Sequence, residues 1–342
     1  MRKLFVLLGI CSVSFHINAQ KITTSQDSIK VFYDKLLGML QSDYLHTKKV
    51  DWKAVGNETL QNIKKYNDFK SSLKETETLF GAIGATHCKI IYEKKVYGVT
   101  LKASTDNLSE QWKEKYAAKP GFEVKILDGK LGYILMPGIK SFDFSAENTR
   151  KTAQSMYDQI AEVKAKNKLE GWVIDLRFNT GGNSAPMLLA LYDFLGDNDI
   201  WGTVGPNKKQ KSKVRLEKGN YLSNDKKTSF IHPVGELLDK TKVAVITGPL
   251  TGSSGEVTAL AFKGRDNTIF IGEKTFGMTT ANVDVVLPFG STLIVSVAFD
   301  TDRNGNYFEQ IIPDIAVSKQ DNFTNLLADK NIQEAIGFIS KK

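Results

Sequence analysis

The sequence predicts an α/β protein, and three stretches carry that reading. Residues 172–178 (WVIDLRF) read as a buried strand that runs toward the glycine pair Gly181-Gly182 and leads into the apolar helical run APMLLALYDFLG. Residues 242–248 (KVAVITG) repeat the unit, ending in a Gly/Pro loop before EVTALAFKG. TIFIGE at 268–273 adds another short β-branched strand. Buried strands alternating with helices argue for a core whose strand-end loops carry the functional site.

The chain begins MRKLFVLLGICSVSFHINAQ, where Arg2 and Lys3 precede an apolar run that ends near the small Ala19. Residues 1–19 therefore read as a secretory signal peptide, cleaved before Gln20. The run is too short to span a bilayer, so no integral membrane segment is expected after cleavage and the protein is read as exported, periplasmic or secreted. Ile10 is bulky where a lipoprotein signal needs a small residue before Cys11.

Residues 20–121 read as a small N-terminal helical cap followed by a histidine-bearing segment. Ile29, Phe32, Tyr33, Leu36 and Leu40 share one helical face, and Leu60, Ile63, Tyr66 and Phe69 follow a similar period. The polar stretch YLHTKKVDW lies between them. After Gly81 the pattern changes to the short strands CKIIYE and KVYGVTLKA, then a polar helical stretch to Ala118. The break Lys119-Pro120-Gly121 marks the boundary with a core at 122–342.

In that core, FEVKILDGKLGYILMP reads as a hairpin turning at Asp128-Gly129. A helix capped by Ser145 follows, with Met156, Ile160 and Val163 inward. DVVLP and STLIVSVAF supply further strands near the C-terminus.

Composition narrows the classes of function. The formal charge of +8 falls to +6 when Arg2 and Lys3 leave, and much of it lies in KKQKSKVRLEK at 208–218. That run lacks interleaved aromatics, which reads as a solvated hairpin or loop; nucleic acid is not expected as a partner. Cleavage removes Cys11 and leaves Cys88 as the one remaining cysteine, so no intramolecular disulfide can form. His46, His87, His232 and Cys88 lack ligand spacing, and neither metal nor cofactor is expected. Cys88 reads as a buried apolar filler beside His87.

Two segments look chemical. In TGSSGE at 251–256, a strand-loop-helix junction presents Ser253 and Ser254 where backbone amides are unpaired. Ser253 fits a nucleophile there, and it equally fits the cap of a capping box with Glu256. In DLRFNTGG at 175–182, the glycines allow amides to face a cavity, as an oxyanion hole requires. The same segment also fits a tight strand-to-helix turn, with Asp175 and Arg177 as a structural ion pair.

DLRFNTGG, TGSSGE, GEKTFGM at 272–278 and the late E-x-x-x-PDI, in this order, resemble the tail-specific or C-terminal processing serine peptidases. The resemblance covers roughly residues 130 to 318 and implies a crotonase-like (ClpP-like) core. It places the nucleophile on Ser253. Met278 stands where one branch of that family has its catalytic lysine, and a thioether cannot accept a proton near neutral pH. Lys274 is the lysine nearest to it in that segment. The stretch between His87 and the core is also too short for a PDZ domain.

The tricorn-like branch, which uses a histidine after a hydroxyl residue, matches Thr86-His87. Gly84-Ala85 stands where such proteins often carry an acid. The resemblance then implies a Ser253-His87-Thr86-Glu309 tetrad, with oxyanion donors from Gly181 or Gly182 and Ser254. The expected function is an exported serine peptidase acting on peptide or protein substrates through an acyl-enzyme. The alternative is a catalytically inactive homologue that binds peptides or lipophilic ligands. Crotonase-type acyl-CoA chemistry fits an exported chain poorly. The separation between Ser253 Oγ and His87 Nε2 discriminates between the first two: more than about 6 Å, with nothing mobile to close it, favours binding.

Overall fold

A computed structural model describes residues 24–100, 108–141 and 143–341; the leader read at 1–19 lies outside them. The first helices are α1 (Ser25–Asp43), α2 (Trp52–Asn62), α3 (Phe69–Ser72) and α4 (Glu75–Ala82). Thr24 and Asp27 close a reciprocal capping box at the start of α1, at 3.0 and 3.1 Å. The predicted face of α1, from Ile29 to Leu40, is buried. It packs with Leu73 and Phe80, and against Leu287, Leu293 and Val295 from late in the chain.

Strands β1 (Lys89–Tyr92) and β2 (Lys95–Tyr97) follow, then helix α5 (Glu110–Ala117). Strands β3 (Glu123–Leu127) and β4 (Leu131–Leu135) form the expected hairpin, with Asp128 and Gly129 both at positive φ in the turn. Helix α6 (Ala146–Lys166) begins at Ser145, whose hydroxyl accepts from Asn148 N at 3.2 Å. Strand β5 (Gly171–Asp175) leads to α7 (Ser184–Ala190) and α8 (Tyr192–Leu195).

An antiparallel run comes next: β6 (Asn198–Val204), β7 (Gln210–Glu217), β8 (Asn220–Ser223) and β9 (Lys226–Phe230). The lysine-rich stretch at 208–218 is thus the turn and second arm of a hairpin. Then come β10 (Lys242–Thr247), α9 (Ser254–Leu260), β11 (Thr268–Gly272), β12 (Thr280–Leu287), β13 (Ser291–Thr301), β14 (Ile315–Ala316) and α10 (Lys330–Ile339).

Two sheets organise these elements. One runs β14-β11-β10-β5-β4-β3 and is parallel except for the β3-β4 hairpin. Successive residues of β5 serve opposite faces: Trp172 and Ile174 pack with Tyr157, Ile160 and Leu188, whereas Val173 packs with Trp112, Ile332 and Ile339. A strand covered on both faces is mostly apolar, and β5 is buried along its whole length, its one charged residue being Asp175 at the end.

The other sheet runs β2-β1-β13-β6-β7-β8-β9, with β12 also paired to β13. Pairing of β1 with β13 brings the segment after His87 alongside the C-terminal part of the chain, across the boundary read at 119–121. The functional residues therefore meet where the β12-β13 hairpin passes the loops that follow β5 and β10.

Candidate active site

Ser253 sits in the loop between β10 and α9 with φ 53° and ψ −121°. A left-handed φ is unusual for a residue with a Cβ and stores strain that the surroundings must hold. Those surroundings are well defined. The Glu256 carboxylate accepts from Ser253 N at 2.9 Å, which is one half of the predicted capping box. It also accepts from Thr275 Oγ1 at 2.6 Å, Gly277 N at 2.8 Å and Met278 N at 2.7 Å. Glu256 is fully buried, and burial pushes its pKa up against the pull of these donors. This one carboxylate ties the serine loop to the GEKTFGM segment.

Gly181 abuts the serine. At φ +98°, a Cβ there would lie 2.9 Å from Ser253 Cβ and 3.0 Å from Gly252 O, so no larger residue fits. Asn179 joins the same two loops: its Oδ1 accepts from Gly181 N at 3.1 Å, and its backbone carbonyl accepts from Gly252 N at 3.0 Å. The Gly181 amide is thereby occupied. The Gly182 and Ser254 amides have no acceptor among the described residues, and Ser254 Oγ donates to Gly182 O at 2.5 Å.

His87 lies in a turn just before β1, and its Nε2 is 3.1 Å from Ser253 Oγ. Its other nitrogen, Nδ1, is 2.7 Å from Thr280 Oγ1, at the start of β12. Burial, with Lys89 close by, lowers the His87 pKa to about 4, so the ring is neutral at physiological pH. Asn282 Nδ2 stands 3.2 Å from Nε2, and Ser296 on β13 hydrogen-bonds both Thr280, at 3.3 Å, and Asn282 Oδ1, at 2.8 Å.

Two members of the expected tetrad do not make the hydrogen bonds expected of them. Thr86 offers its backbone carbonyl to Lys89 Nζ at 3.0 Å, and among the described residues its hydroxyl makes no hydrogen bond to His87. The Nδ1 position is filled by Thr280, because the β12-β13 hairpin passes beside the imidazole. Glu309 lines the same cavity and is exposed; its carboxylate has no hydrogen-bond partner among the described residues, while its carbonyl accepts from Thr279 Oγ1 at 3.2 Å.

That cavity is about 310 Å³ and opens in front of His87, with Thr86, Met278, Thr280, Tyr307 and Glu309 in its walls. Lys274, four residues before Met278, is exposed and outside it. His46 reaches the cavity wall, stacked edge-on against Tyr44 at 5.6 Å, and His232 sits apart beside Phe230. Cys88 is fully buried, and its sulfur accepts from Ser296 N at 3.4 Å.

Asp175 and Arg177 form the structural ion pair at 2.6 Å, extended by Arg177 to Asp321 at 2.6 Å and to Asp329 at 2.7 Å. These buried acids hold the guanidinium protonated. Arg177 anchors the end of β5 to the C-terminal segment and takes no part in the cavity.

Thr280, Asn282 and Ser296 escaped the sequence reading. Their one local signal is the alternation of polar residues in TANVD at 280–284 and the lone polar Ser296 within LIVSVAF; which residue faces His87 depends on strand register.

Among curated proteins, the chain is 28% identical over 273 residues to a nisin-resistance protein of Lactococcus lactis subsp. lactis, covering 79% of this chain and 78% of that protein. It is 25% identical over 200 residues to a carboxy-terminal-processing protease of Bartonella bacilliformis (strain ATCC 35685 / KC583 / Herrer 020/F12,63), 56% of this chain and 40% of that relative's length. Its fold resembles the solved structure of a lipoprotein from Streptococcus agalactiae, with a TM-score of 0.67 at 20% identity over 93% of this chain and 96% of that one. Residues 130–317 match peptidase family S41, more than half of the chain, and the protein belongs to that family.

Proposed function

We propose that the protein is a serine peptidase in which Ser253 is the nucleophile and His87 the general base. The observation that carries this reading is the 3.1 Å separation of Ser253 Oγ from His87 Nε2, with Thr280 2.7 Å from Nδ1. Nucleophile, base and orienting group then stand in the order that acyl transfer needs.

In the first step His87 Nε2 takes the Ser253 proton as Oγ attacks the scissile carbonyl carbon. The Gly182 and Ser254 amides, which have no acceptor among the described residues, receive the developing oxyanion. Gly181 serves close approach and not donation, since its amide is committed to Asn179. The imidazolium then protonates the departing amine, and a water activated by the same nitrogen hydrolyses the acyl-enzyme. In this reading Thr280 replaces Thr86 beside the imidazole. Thr86 and Glu309 become walls of the substrate cavity, within a core of crotonase-like type beneath an N-terminal cap.

The leader read at 1–19 sends the mature chain out of the cytoplasm, where its substrates are peptides or proteins. The similarity to a nisin-resistance protein makes nisin a first substrate to try.

Hydrolysis of nisin and of a peptide library by the native protein, Ser253→Ala and His87→Ala tests the reading. Each variant is expected to lose roughly 10⁴- to 10⁶-fold in rate with its circular dichroism intact. Lys274→Ala is expected to retain full activity, and loss there would support a lysine base instead.

Met278 at the family's lysine position, and a His87 ring without a bonded carboxylate, motivate the second reading of a catalytically silent binder. That reading expects saturable peptide binding, unchanged in Ser253→Ala, with no cleavage by the native protein.

A further inference from the structure

Four hydrogen bonds form a closed ring around His87. Ser296 Oγ donates to Asn282 Oδ1 at 2.8 Å, and a carbonyl-type oxygen can only accept. With its proton used there, Ser296 Oγ accepts from Thr280 Oγ1 at 3.3 Å. Thr280 has then spent its own proton, so at 2.7 Å it must accept from His87 Nδ1–H. The ring closes where Asn282 Nδ2, which can only donate, faces His87 Nε2 at 3.2 Å. Every proton direction follows from the amide, and together they specify one tautomer.

The strands are built to make this ring. Thr280 and Asn282 are two apart on β12 and share a face, and the register jumps between Ala281 and Asn282. Ala281 pairs with Ala298 but Asn282 pairs with Ser296, so Val297 is left over as a bulge. Bulges re-aim side chains beside functional sites, and this one sets Ser296 directly opposite Asn282.

We propose that Asn282 is a positioning residue which, through Ser296 and Thr280, holds His87 as the neutral Nδ1–H tautomer, its Nε2 lone pair shared between the Asn282 amide and the Ser253 hydroxyl. The inference rests on the reading of Ser253 and His87 as nucleophile and base. The ring does part of the work of an orienting carboxylate, fixing the tautomer without supplying a negative charge.

The other titratable groups near the imidazole do not supply that charge by contact. Lys89 and Cys88 lie on its own segment, His46, Lys49 and Tyr44 come from the N-terminal helical unit, and Tyr307 and Glu309 from the loop after β13. Glu309 is the one acid in this set and makes no hydrogen bond to the ring among the described residues. The amide N–H at Nε2 also opposes protonation there, in keeping with the depressed His87 pKa.

Nitrogen-15 histidine spectra of the full mature chain, recorded from pH 8 to 4, read tautomer and charge directly. The native protein is expected to show a neutral Nδ1–H ring down to pH 5. Asn282→Asp places a carboxylate at Nε2 and is expected to raise the His87 midpoint by about 1–3 units. Ser296→Ala frees the Asn282 amide to flip and the Thr280 hydroxyl to donate, without touching the imidazole, and is expected to weaken the Nδ1–H preference. A native Nε2–H tautomer, or a His87 titration and tautomer unmoved in both variants, would overturn the proposal. Because the spectra need no turnover, an Nδ1–H ring in a protein that cleaves nothing would count against the peptidase reading and leave the ring standing.

Discussion

The low pKa of His87 has a consequence for both catalysis and stability. Burial lowers it from an ordinary 6.5 to about 4. At pH 5.5 a base of pKa 4 is neutral in about 97% of molecules, against about 9% for an unperturbed histidine, a roughly tenfold difference in competent enzyme. The acid limb of Ser253 acylation is therefore expected near pH 4. The same shift enters folding with a definite sign. The unfolded chain binds a proton at His87 below pH 6.5 and the folded chain does not until about pH 4. Stability is thus fully present above 6.5 and is lost as pH falls toward 4, by roughly 3 kcal/mol in total at 1.36 kcal/mol per unit. The assay pairs fluorophosphonate labelling rates from pH 4 to 8 with urea unfolding of the native protein and His87→Gln over the same range. His87→Gln lacks this titration, so its stability is expected to fall less between pH 6.5 and 4. An acid limb at pH 6–7, or identical pH dependence of unfolding in the two proteins, would refute the reasoning.

Three further outcomes follow from the packing around Ser253 and Arg177. Gly181→Ala puts a Cβ 2.9 Å from Ser253 Cβ at a φ of +98°; it is expected to lower turnover by about 10²-fold through displacement of the nucleophile, measured as kcat/KM. Glu256→Gln replaces an oxygen that accepts from backbone amides with an NH₂ group, so unfolding free energy is expected to drop by roughly 1–3 kcal/mol in urea, with turnover reduced as the Ser253 and Met278 segments part. Arg177→Ala leaves Asp175, Asp321 and Asp329 facing one another and is expected to cost about 3–5 kcal/mol, read by thermal or urea melting.

Much of the candidate site was legible because it is local in sequence. Ser253, Ser254 and Glu256 lie within four residues, and Gly181-Gly182 marks a turn by composition alone; such motifs report backbone geometry directly. The α/β sheet was legible for the same reason, since β5, β10 and β11 are apolar runs bounded by loops. His87 entered through family resemblance, and the resemblance carried Thr86 and Glu309 with it. The residue beside Nδ1 is instead Thr280, more than 190 positions away, brought there by strand pairing and a bulge that no short window can reveal. The antiparallel strands β6, β8 and β9, as well as α10, were also missed. NDIWGTV and KKTSF mix polar and apolar residues, so their strand character comes from their neighbours.

The most direct test of the account is mass-spectrometric mapping of a fluorophosphonate adduct on the native mature protein and on His87→Ala. The account predicts a single adduct on Ser253 in the native protein and none in His87→Ala. No adduct on a folded native protein, or an adduct on another serine that survives loss of His87, would contradict it.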